Sequence, residues 1–143
     1  MSKDRRSFFR RMAGWGGALA AGRQLQAQRP RAPFLTPDVP KLPWRLADGV
    51  KEFHLTAEHV RKDLMPGRPV DVWGFNGSMP GPTIEANQGD RVRIVFRNNL
   101  PEISAVHWHG LEVPLAMDGV PGLGMDPVKP GDTFVYEFDL HQH

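Results

Sequence analysis

Residues 89–100, GDRVRIVFRNNL, alternate with a period of two: Val92, Ile94 and Phe96 fall on one side, Arg91, Arg93 and Arg97 on the other. Successive side chains of an extended chain point to opposite faces, so this pattern demands a strand with one buried and one solvated face. The same alternation recurs where Phe53, Leu55 and Ala57 interleave with His54, Thr56 and Glu58, and again through Phe134, Tyr136 and Phe138. A further strand is expected through Val70, Val72 and Gly74, closed by the turn residues Asn76-Gly77 and Pro80-Gly81-Pro82. After the first 27 residues no segment of ten or more shows a helical period, and no repeat recurs at a fixed spacing. Fifteen glycines and fourteen prolines supply the turns that many short strands need. The expected fold is all-β, a Greek-key sandwich or barrel of one domain.

The net charge of +2 hides two regions of opposite character. Residues 1–31 hold eight of the eighteen Lys and Arg and a single acid, Asp4, which leaves ten basic against fifteen acidic residues in 32–143, a net of −5. Nothing in that acidic portion suggests a nucleic-acid surface. In the first segment Arg5-Arg6 precedes Ser7-Phe8-Phe9 and the weakly apolar run MAGWGGALAA. A positive start, a short apolar stretch and small residues near a cut describe a secretory signal, and the paired arginines resemble the twin-arginine export type. The apolar run is about ten residues, where a membrane span needs about 20. Residues 1–27 are therefore expected to be a signal peptide cut after Ala27, with Ala20 as the alternative, which places the mature chain in the periplasm or outside the cell. Residues 28–49 follow as a proline-rich lead-in, extended or forming a first strand, and 50–143 as the folded domain.

The chain has no cysteine, so neither a disulfide nor a thiolate metal site can form within it. Its sharpest chemical feature is AVHWHGLEV, residues 105–113. If this run is a strand, His107 and His109 share a face about 6.6 Å apart, two residues at a rise of about 3.3 Å, and Trp108 turns the other way. Two neighbouring imidazoles can grip one ion or serve one each of two. Imidazole nitrogen suits copper, zinc, iron and nickel. A bare pair of this kind also arises by chance on polar strand faces, and it cannot complete a coordination sphere alone.

The segment NGSMPGPTIEANQGDRVRIVFRNNLPEISAVHWHGLEVPLAMDGVPG, followed by PVKPGDTFVYEFDL, resembles the N-terminal cupredoxin (plastocyanin-like) domain of the multicopper oxidases, the family of laccases and bacterial metallo-oxidases. The likeness runs from about Val50 to Leu140. It rests on ordered elements: Asn76-Gly77, Pro80-Gly81-Pro82-Thr83, Gly89-Asp90, Asn98, His107-Trp108-His109-Gly110, Asp118-Gly119 and Pro130-Gly131. The resemblance implies a cupredoxin-like fold and copper as cofactor. It further implies that His107 ligates the type 2 copper of a trinuclear cluster and His109 one of the paired type 3 coppers. In such enzymes the cluster passes four electrons to dioxygen and yields water. Trp108 is expected to pack in the core, Gly110 to let the backbone bend, and Asp118 to be a turn aspartate bonded to its own backbone rather than a proton relay.

Departures from the family pattern shape the remaining expectations. His54 and His59 are expected to be solvated. His141-Gln142-His143 imitates the family's second histidine pair, but it lies before the glycine-threonine turn that pair follows, so neither histidine is expected to be a ligand. The later histidine pairs and the cysteine of the type 1 copper are absent from the sequence. The chain therefore reads as a truncated piece of a longer oxidase, incomplete at its C-terminal side and inactive alone. Its partners would be the remaining cupredoxin domains, dioxygen and a reducing substrate, with no nucleic acid and no membrane span. Two other classes stand beside this reading: a non-enzymatic periplasmic copper-binding or structural cupredoxin module, and the cupredoxin domain of a copper nitrite reductase.

Overall fold

A computed structural model of the chain describes residues 36–37 and 39–142. The expected signal peptide, residues 28–35 and 38 of the lead-in, and His143 lie outside the described residues. Five strands appear in chain order: β1 (Trp44–Ala47), β2 (Val50–Met65), β3 (Arg68–Phe75), β4 (Arg91–Asn98) and β5 (Thr133–Asp139). The only helical element among the described residues is a 3-10 turn, Leu115–Met117. None of them is in a helix long and apolar enough to cross a membrane. The all-β expectation is met.

The strands form one mixed sheet in the order β1-β2-β4-β5, with β3 also paired to β2. β2 and β4 run parallel, Phe53 opposite Ile94 and Leu55 opposite Phe96, while the other pairs are antiparallel. The long β2 is shared along its length. β1 takes residues 50–53 and β3 takes residues from Ala57 to Met65. The end of the lead-in thus becomes a hairpin arm. Its two-residue loop, Asp48-Gly49, has positive φ at both positions (53° and 78°), as a type I′ connection requires. Among the described residues the second layer has no strand of its own; isolated bridges Lys41–Thr83 and Ser104–Val128 stand in its place.

The alternation of the strands decides which face is which. Phe53, Leu55, Val92, Ile94, Phe96, Tyr136 and Phe138 are all buried and form one cluster with Leu42, Leu100, Met125 and Val128. Asn98, fully buried at the end of β4, supports the connection that covers this core. Its Nδ2 donates to the carbonyls of Glu102 (2.8 Å) and Val128 (2.9 Å), and its Oδ1 accepts the Leu100 N–H at 3.0 Å.

The opposite face carries a row of alternating charge that crosses four strands. Arg45, Glu52, Arg93 and Glu137 are direct register partners from β1 to β5. Arg45 Nε bonds Glu52 at 2.8 Å, Arg93 Nη1 bonds Glu52 at 3.2 Å, and Arg93 Nε bonds Glu137 at 2.6 Å. Arg91 extends the row to Glu137 and Asp139. His54 is exposed, as expected, and its Nε2 also meets Glu52 at 3.0 Å. Led by the Arg45 hydrogen bond, these contacts hold the Glu52 carboxyl at about 2, well below its ordinary 4.5, even though burial opposes the shift. The Glu137 carboxyl is lowered in the same way, first by Arg93.

Two outcomes follow from this arrangement. Replacing Asn98 by Ala leaves the buried Leu100 N–H without its partner and removes one bond each from the Val128 and Glu102 carbonyls, so chemical denaturation should report a loss of about 1–3 kcal/mol. Glu52 is charged in the folded state down to lower pH than in the unfolded chain. Its contribution is therefore complete above about pH 4.5 and disappears as pH falls towards about 2. Glu52→Gln should flatten the fall of the denaturation midpoint across that window.

Candidate metal centre

The two histidines flanking Trp108 do not lie on a strand. After the Ser104–Val128 bridge, residues 105–114 form no regular element, which corrects the expectation for this run. The physical reason is the identity of the partners. The Val106 N–H donates not to another backbone but to the Tyr136 hydroxyl at 2.9 Å. The Leu111 N–H then turns back to the Trp108 carbonyl at 3.0 Å. Gln142 closes the far end: its Nε2 donates to the Gly110 carbonyl (2.6 Å) and its Oε1 accepts the Glu112 N–H (2.8 Å). Side chains thus replace the ladder.

Alternation nevertheless survives locally. Trp108 packs inward, edge-on to Tyr136 with centroids 5.4 Å apart and tilted against Phe138 at 5.6 Å. His107 and His109 are both exposed, and their rings stand nearly perpendicular with centroids 5.7 Å apart. The Nδ1 of His107 lies 2.8 Å from the Asp118 carbonyl and 3.3 Å from the Asp118 Oδ1. A carbonyl can only accept, so Nδ1 carries the proton and the neutral ring keeps the Nε2 lone pair for an ion. A backbone acceptor behind a ligating imidazole fixes tautomer and orientation together.

That carbonyl is delivered by a close approach of two backbones. A Cβ on Gly119 would sit 1.7 Å from the Val106 carbonyl oxygen, and Gly119 has φ +71°. Only glycine lets the turn after the 3-10 segment press this near. Asp118 closes that turn with its backbone N–H on the Leu115 carbonyl. It sits in a turn, as expected, but its carboxylate is not engaged with its own backbone: carbonyl and carboxylate both face His107.

The other sequence candidates lie elsewhere. His59 is exposed, edge-on to Trp73 at 6.3 Å. His141 lines an open groove with Glu112, Asp118 and Asp139. Three contributors were missed in the sequence: the Asp118 carbonyl, Gln142 and Tyr136. Only Tyr136 carried a signal, being the single tyrosine of the chain, set between two phenylalanines at core positions. A buried hydroxyl needs a partner.

Among the described residues no third His, Cys, Asp or Glu joins the two imidazoles in a metal-sized group. The donor set is two nitrogens without sulfur. Paired imidazoles of this kind fit copper and leave the rest of its sphere open.

An all-β cupredoxin-like sheet with an exposed imidazole pair on its covering loop defines the class. A family model described as "Multicopper oxidase" matches residues 56–143, more than half of the chain, and the chain belongs to the multicopper oxidase family. It is 38% identical over 92 residues to the copper resistance protein A homolog of Pseudomonas syringae pv. tomato, covering 64% of this chain and 15% of that protein. It is 35% identical over 95 residues to the multicopper oxidase mco of Staphylococcus aureus, covering 66% and 21%. Among solved structures, a multi-copper oxidase from Pseudomonas thermotolerans superposes with a TM-score of 0.61 at 42% identity, covering 62% of this chain and 22% of that one. A Campylobacter jejuni multicopper oxidase, described as a metallo-oxidase, gives 0.64 at 30%, covering 73% and 22%. The chain spans less than a quarter of the length of each of these relatives.

The hydrogen bond to Asp118 predicts the protonation pattern of His107. Long-range proton–nitrogen NMR above pH 8 should show its proton on Nδ1; a spectrum with the proton on Nε2 would contradict the geometry.

Proposed function

We propose that this chain is the first cupredoxin domain of an exported multicopper oxidase and supplies two histidine ligands to its trinuclear copper cluster. The observation that carries the reading is the His107–His109 pair, with rings 5.7 Å apart and the Nδ1 of His107 held by a backbone carbonyl. His107 would hold the type 2 copper through Nε2, and His109 one type 3 copper. The bound cluster supplies the four-electron reduction of dioxygen to water. The contribution of this chain is to present two imidazoles side by side on one side of an aromatic core. Further cupredoxin domains, dioxygen and a reducing substrate complete the working enzyme, in keeping with relatives more than four times as long as the matched region. Two imidazoles by themselves leave coordination unfinished, so oxidase activity is not expected of this chain alone. Export to the periplasm or beyond rests on the Arg5-Arg6 segment and the apolar run after it, with 1–27 as signal, 28–49 as lead-in and 50–143 as the domain.

Titration of the purified chain with Cu(II), followed by electron paramagnetic resonance, tests the ligand assignment. His107→Ala and His109→Ala should each weaken binding by about tenfold or more and remove nitrogen hyperfine structure. Unchanged affinity in both variants would refute it.

A further inference from the structure

The segment bearing both imidazoles lacks a strand partner, so something other than a ladder must set its position. Tyr136 lies on β5 with no exposure, against Phe134 at 4.7 Å and Phe96 at 6.2 Å. Its hydroxyl accepts the Val106 N–H at 2.9 Å and lies 3.9 Å from the Met125 sulfur, as donor. Its ring meets Trp108 edge-on at 5.4 Å. Burial pushes the Tyr136 phenol above its usual range, so the hydroxyl stays neutral around pH 7. The neighbouring core positions of the strand, Phe134 and Phe138, are phenylalanine. A phenylalanine at 136 would fill nearly the same space, which isolates the hydroxyl as the distinguishing group.

The peptide on which that hydroxyl acts is held from two sides. The N–H of Val106 is taken by Tyr136, and its carbonyl lies against the backbone of Gly119. The residue before Gly119, Asp118, accepts the Nδ1 hydrogen of His107. A shift at Val106 therefore moves His107 relative to its acceptor, and a shift at Trp108 rotates both flanking rings.

We propose that Tyr136 is the positioning residue of the imidazole pair: its hydroxyl sets the peptide at Val106, its ring sets Trp108, and together they aim His107 and His109 to one side. The proposal deepens the metal-centre reading and rests on it for its consequence in metal binding, but its geometric content stands without metal.

The test uses the full chain with Tyr136→Phe, and with Leu55→Ala as a control that trims the same core on β2, with β4 between it and Tyr136, and leaves the hydroxyl. Cu(II) alone is the probe. Tyr136→Phe should weaken Cu(II) binding by about 10-fold to 100-fold, the usual range for loss of an outer-shell support. Leu55→Ala should lower the thermal midpoint without moving that affinity. In the metal-free chain, the NMR cross-peak between the His107 and His109 rings should persist in the control and fade in Tyr136→Phe. Affinity within twofold and an intact cross-peak in Tyr136→Phe, while His107→Ala and His109→Ala lose copper, would overturn the positioning role and leave the metal reading standing. If the histidine variants bind copper as the parent does, the metal reading falls instead, and the cross-peak alone decides for Tyr136. Should Tyr136→Phe not fold, hydrogen exchange in the parent decides: the Val106 amide should be protected like the amides of β5. Exchange at the rate of an exposed loop would sink the proposal.

Discussion

The central constraint is the ladder of β4, paired in parallel to β2 on one edge and antiparallel to β5 on the other. It places Ile94 beside Phe53 and Tyr136, and in the adjacent row Arg93 beside Glu52 and Glu137. The two rows contribute unequally. Burying each large apolar side chain stabilises by about 1.5–3 kcal/mol, while exposed ion pairs such as Arg91–Asp139 give about 0–1 kcal/mol each. At the buried Glu52 the cost of desolvation offsets much of the attraction. The core therefore holds the sheet together, and the ion row guards its register. A slip of one residue would bring Arg91, Arg93 and Arg97 into the core and expose Val92, Ile94 and Phe96.

On this scaffold the functional loop is irregular by design of its partners. A strand would have required a ladder with at least one neighbouring backbone. Instead Asn98, Tyr136 and Gln142 satisfy the backbone with side-chain atoms, leaving the solvent side of residues 107–109 open. Rigid elements position an exposed loop that bears the imidazole pair, an arrangement common to binding sites.

Much of this was legible in the sequence because strands with one wet face write their period into it. The inward residues of β2, β4 and β5 and the solvated His54 follow from alternation alone; His59 does not, because by parity it belongs with Phe53, Leu55 and Ala57, and it is exposed only because the buried side changes to Val60 beyond Ala57. So does the burial of Trp108, although alternation also suggested a strand there, and the structure forms none. Period two reports which side a residue faces; it does not report whether a neighbouring backbone is present to pair. The Asp118 carbonyl was beyond reach for a different reason. A main-chain acceptor has no residue identity, and its approach depends on Gly119 meeting Val106 thirteen positions away. In the His141-Gln142-His143 run the histidines draw the eye, yet the amide between them makes the structural bonds to Gly110 and Glu112. The match to the multicopper oxidase family, by contrast, was readable from ordered short elements, each of which marks a turn, a buried polar anchor or the imidazole pair.

The two imidazoles differ in how firmly they are held. His107 has its tautomer and ring plane set by Asp118, whereas no hydrogen bond fixes His109 among the described residues; it stands edge-on to its neighbour. Ordering a side chain at the moment of binding costs about 0.5–1.5 kcal/mol. That cost is already met at His107 and still outstanding at His109. A pair built this way presents one prepared nitrogen and one that adapts, and both remain exposed because the aromatic packing beneath them is complete. Trp108 packs against Tyr136 and Phe138 under the loop, which leaves the two flanking rings facing solvent. The same packing that takes the place of a strand partner therefore turns both imidazoles outward.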